Sequence, residues 1–83
     1  MHLDENWGIE ITRIQRFFDA EADVFKEIDG YRYAHCQITL TAIAPQPDAL
    51  IPIPRTRLEI EGPDEEVRVI HRRFFLRFLS AGG

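Results

Sequence analysis

Polar and apolar side chains alternate through residues 31–42. Ala34, Cys36, Ile38, Leu40 and Ala42 occupy one parity, and Tyr31, Tyr33, His35, Gln37, Thr39 and Thr41 the other. A period of two is that of a strand whose two faces meet different surroundings. The spacing therefore predicts one long strand, with the first set in the core and the tyrosines, His35 and Gln37 aligned on the outer face. Asp29-Gly30 is a preferred pair for a two-residue turn, so residues 23–28 are expected to form a hairpin with 31–43. A second alternating run, residues 56–61, places Leu58 and Ile60 on a core face.

Beyond Gly62-Pro63 the period changes to that of a helix, expected over residues 63–80. Proline suits a first helical turn. Asp64, Glu65 and Glu66 sit at the positive end of the helix dipole, and Arg72, Arg73 and Arg77 lie toward the negative end. At about 100° per residue, Val67, Ile70, Phe74 and Phe78 form one stripe, with His71 and Phe75 on its flank. Val69, Leu76 and Leu79 fall on the other side. A helix apolar on two sides is more than one small sheet can cover, so a second surface is implied.

Residues 7–18 carry two patterns. Ile9 and Ile11 alternate as in a strand, which Gly8 and the β-branched residues also favour. Trp7, Ile11, Ile14, Phe18, Phe25 and Ile28 follow the spacing of one stripe of a long helix, which Asp19-Ala-Glu-Ala-Asp also favours. The strand is the preferred assignment and the helix its competitor. Residues 1–6 are read as a flexible N-terminus. Residues 44–55 contain four prolines, which remove backbone donors and hold a stiff, extended connector. Leu50, Ile51 and Ile53 within it are apolar enough to be expected against the domain or a partner. The sum is a single α+β domain over residues 1–83: an antiparallel sheet of three or four strands with a C-terminal α-helix packed on one face.

Eighty-three residues support only a small core. With a single cysteine, Cys36, no intramolecular disulfide can reinforce it. Oligomerisation is the natural way to add buried area, and a homodimer is expected. The formal net charge of −4 disfavours indiscriminate binding to phosphate backbones. Residues 1–30 hold eight acids against three bases, whereas residues 67–83 hold four arginines and no acid. That polarity would steer association, or reflect no more than two solvated faces. No run of membrane-span or signal-peptide length occurs, so the expected location is the cytoplasm, without membrane contact.

Candidate chemistry is sparse. Neighbours in a strand point to opposite faces, so His35 and Cys36 form no nucleophile–base pair, and Cys36 reads as a small core hydrophobe. His2, His35 and His71 show no metal-ligand spacing. No catalytic, metal or cofactor residue is assigned. The interface candidates are Val69, Leu76 and Leu79 on the helix, with Tyr31, Tyr33 and His35 on the strand face. Candidate anion or nucleic-acid contacts are Arg55, Arg57, Arg68, Arg72, Arg73 and Arg77. The terminal Gly82-Gly83 resembles the diglycine tail of small sulfur carriers and ubiquitin-like modifiers, a resemblance of two residues that implies a carrier with an activated C-terminus. The leading expectation is a non-enzymatic protein–protein interaction module, an adaptor, regulator or inhibitor, acting as a homodimer. RNA or single-stranded DNA binding through Tyr31, Tyr33 and the arginines is the alternative, and the diglycine-tailed carrier a remote one.

Overall fold

The computed structural model describes residues 1–48 and 50–79. Gly82 and Gly83, and the carrier reading attached to them, lie outside the described residues, as does Ser80. Elements follow the order β1 (His2–Trp7), α1 (Ile11–Ala20), β2 (Val24–Glu27), β3 (Gly30–Tyr33), β4 (Cys36–Ile43), β5 (Arg55–Glu61) and α2 (Asp64–Leu79). The strands form one antiparallel sheet in the order β1-β5-β4-β3-β2. The α+β class holds, with five strands in place of three or four.

The extra strands come from two places. Residues 1–6, read as flexible, supply all but the last residue of the edge strand β1, which is in register with β5 from His2↔Glu61 to Trp7↔Thr56. Its inward positions Leu3, Glu5 and Trp7 are half-buried and its outward ones exposed. The long alternating run is two strands, broken at Ala34-His35, where Tyr33 pairs with Cys36 and Ala34 takes a left-handed φ of 52°. The first hairpin exists, but its two loop residues are Ile28 and Asp29. Gly30 begins β3 opposite Glu27 at a φ of 149°, and a Cβ there would collide with the Ile38 carbonyl.

Residues 11–20 are helical, so the preferred strand assignment for 7–18 is corrected to its competitor. Ile14 and Phe18 of the helix stripe are fully buried. Ile9 and Ile14 occupy the positions of a hydrophobic staple around Glu10, and both enter the core. The buried Thr56 hydroxyl donates to the Ile9 carbonyl at 2.7 Å, fixing the link between β1 and α1 to β5.

Both helices contribute to one core on one sheet face, with Val24, Tyr31, Cys36, Ile38, Leu58 and Ile60 beneath Ile14, Phe18, Val67, Ile70, Phe74 and Phe78. Phe74 is its aromatic centre, with ring centroids 5.0 Å from Trp7, 5.9 Å from Phe17, 6.0 Å from Phe18 and 4.8 Å from Phe78. Each such pair contributes about 0.5–1.5 kcal/mol beyond area burial. Residues 44–46 and 52–54 of the connector have no regular structure. Leu50, Ile51 and Ile53 are exposed in place of packing against the domain. No described helix is long and apolar enough to cross a membrane.

Candidate functional site

The stripe that α2 buries and the stripe it leaves out are both set by its sequence spacing. Val67, Ile70, Phe74 and Phe78 reach the sheet and α1. Across the helix, Val69, Phe75, Leu76 and Leu79 remain 45, 38, 56 and 59% exposed. At 100° per residue these four share an arc with Glu65, Arg68 and Arg72, all three exposed. The outer face is thus apolar along its length and interleaved with charge. Phe75 is steadied by Trp7 and His71, at 6.0 and 6.1 Å between ring centroids.

One rim of this face is held by a polar network. His71 Nε2 lies 2.9 Å from Glu5 Oε1, which also accepts the Trp7 indole N–H at 3.0 Å. Glu5 is an inward-pointing acid on an edge strand, a device that discourages further strand pairing there. β1 is consequently a poor docking edge, and the outer face of α2 is the better surface.

The strand-face candidates do not join it. Tyr31 is 3% exposed and faces α1, with its hydroxyl donating to Asp19 Oδ1 at 3.0 Å. Burial, reinforced by that carboxylate, pushes the Tyr31 phenol up to about 12. Tyr33 is half-buried beneath the Arg73 guanidinium, 5.3 Å from its ring centroid. His35 lies in the exposed β3–β4 turn, where its backbone N–H donates to Glu66 Oε1 at 2.8 Å. The aligned outer row of Tyr31, Tyr33, His35 and Gln37 is therefore corrected: both tyrosines face the helices.

The arginine candidates divide between two sides of the molecule. Arg55 and Arg57 stand on the open sheet face, where Arg57 donates to both Asp4 oxygens at 3.0 and 2.6 Å and lies 3.7 Å from Glu59. Arg68, Arg72, Arg73 and Arg77 belong to α2 on the other side, and Arg73 pairs with Asp23 at 2.8 Å. The structure does not bring them together as one phosphate-tracking patch. The open sheet face does gather His2, Asp4 and Glu59, whose ligand atoms lie within 4.8 Å of one another. A cation there would have to displace the Arg57 guanidinium from Asp4, so the triad is accounted for as an ion-pair network.

A cleft missed in the sequence opens between the helices. Arg13, Arg16, Phe17 and Ala20 of α1, with Glu21, face Arg77 and Phe78 of α2. The signal was present as Arg13 and Arg16 one helical turn apart, but it becomes readable only once residues 11–20 are known to be helical. Cys36 is 1% exposed, and burial followed by the negative charge of Glu66 pushes its thiol up. The chain matches no protein-family model, no curated protein and no solved structure.

Proposed function

We propose that the protein is a non-enzymatic protein–protein interaction module that works as a homodimer, two copies packing the outer faces of α2 across a two-fold axis. The observation that carries this reading is the continuous exposed row of Val69, Phe75, Leu76 and Leu79 on an otherwise well-packed helix. Contiguous apolar exposure of that kind marks contact surfaces. The occupant is a second copy, on grounds of charge. On this face Glu65 lies in the first turn of α2, and Arg68 and Arg72 follow along the helix. A two-fold interface requires one self-complementary patch, and an outer face that carries both the acid Glu65 and the bases Arg68 and Arg72 offers opposite charges to a second copy of itself.

A seam of about four helical turns is small by the standard of stable interfaces, so dissociation in the micromolar range is expected. Sedimentation equilibrium at about 100 µM should return twice the 9.7 kDa chain mass. Leu76→Asp should return the monomer mass with unchanged circular dichroism. A wild-type monomer at that concentration would overturn the proposal.

A further inference from the structure

We propose that the cleft between α1 and α2 binds a small phosphate monoester carrying an aromatic or aliphatic group. The cleft measures about 470 Å³, within the range of small-ligand sites, and is lined by Arg13, Arg16, Phe17, Ala20, Glu21, Arg77 and Phe78. Two guanidinium groups from different helices converge on one ring: Arg13 Cζ lies 6.0 Å and Arg77 Cζ 5.7 Å from the Phe78 centroid. Among the described residues, Arg13, Arg16 and Arg77 have no carboxylate within ion-pair distance. Three guanidinium groups lining one cleft without a paired carboxylate leave it positively charged, and a bound anion would neutralise that charge.

Helix stability explains Arg77, in the last turn of α2, but not Arg13. Arg13 stands in the first turn of α1, the positive end of the dipole, where cations are disfavoured; that turn contains no acid. The Glu21 carboxylate at the rim lies 3.9 Å from Arg73, so part of its charge is already answered. Three arginines against one glutamate leave the lining with two net positive charges. A phosphate monoester carries about that much negative charge at neutral pH, and its oxygens match the guanidinium fork. The half-buried Phe17 and the exposed Ala20 supply an apolar wall for the organic group.

Phenyl phosphate titrated into ¹⁵N-labelled protein at about 150 mM salt should give saturable shifts confined to amides near residues 13–21 and 74–79. Arg13→Ala and Arg77→Ala should each weaken binding by about tenfold, and Arg68→Ala should not. Inorganic phosphate and benzoate should bind more weakly, each lacking half of the recognised chemistry. Failure to saturate by about 10 mM would overturn the site. Equal weakening by Arg68→Ala would reduce it to diffuse surface charge. Inorganic phosphate binding as tightly as the ester would overturn the organic part of the assignment. An oligothymidylate that outcompetes phenyl phosphate at these amides, with affinity rising with strand length, would make the cleft a nucleic-acid surface instead.

Discussion

Cys36 shows how closely side chains must agree where two chain segments meet. A Cβ on Gly62 would stand 2.8 Å from the Cys36 sulfur and 2.9 Å from both its Cα and the His35 carbonyl, so only glycine lets β5 leave the sheet there. The thiol beneath is buried and its pKa raised, both of which suppress the reactive thiolate. Native protein at neutral pH should therefore resist a thiol reagent that labels it fully in denaturant; rapid labelling of the folded chain would mean that this corner opens. The placement of Cys36 was legible, because it shares parity with Ile38 and Leu40 within one strand. The placement of Tyr31 was not. A two-residue turn pairs Tyr33 with Cys36, an odd number with an even one, so the parity that faces the core inverts at the turn. Alternation read straight through Ala34-His35 sent the tyrosines to the wrong side.

At the scale of elements, the signals that failed were those of a turn, a helix and an edge. Ala34-His35 lacks the glycine or asparagine that announces a tight hairpin, yet Ala34 adopts a left-handed φ of 52°. That conformation is strained for alanine and tolerated by asparagine. Ala34→Asn should raise stability by about 0.5–1 kcal/mol, read as a higher urea midpoint at an unchanged m-value. α1 lacks first-turn acids, last-turn bases and a side-chain cap hydrogen bond, so its sequence offered little beyond Asp19-Ala-Glu-Ala-Asp and a stripe that ran on past the helix to Phe25 and Ile28, which belong to β2 and the turn after it. Tertiary burial of Ile14 and Phe18 forms the helix against its β-branched content. β1 presents just Leu3 and Trp7 as apolar inward residues around the acid Glu5, too thin a pattern to be recognised before its partner β5 is known. α2 was legible throughout, since dipole complementarity and both apolar stripes are written in its own residues.

Three ion-paired carboxylates bind the whole molecule together across long sequence separations. Asp4 joins β1 to β5 through Arg57, Asp23 joins the α1–β2 turn to α2 through Arg73, and Glu66 joins α2 to the β3–β4 turn through the His35 backbone N–H and ring. Hydrogen bonds from these partners hold each carboxyl below its ordinary value. A carboxylate with a lowered folded-state pKa contributes stability that is present above the unfolded value, near 4. That contribution is lost as pH falls through the folded value. The urea midpoint should accordingly drop below about pH 4, and Asp23→Asn with Glu66→Gln should flatten the drop; an unaltered slope in the double variant would show that these links contribute nothing. The strand order also has a consequence for how the chain comes together. β2, β3 and β4 are neighbours in sequence and can pair locally, but β1 has β5 as its only neighbour among the described strands. The first of these strands must therefore wait, unpaired, for the last, and its docking closes the longest loop of any strand pair in the sheet.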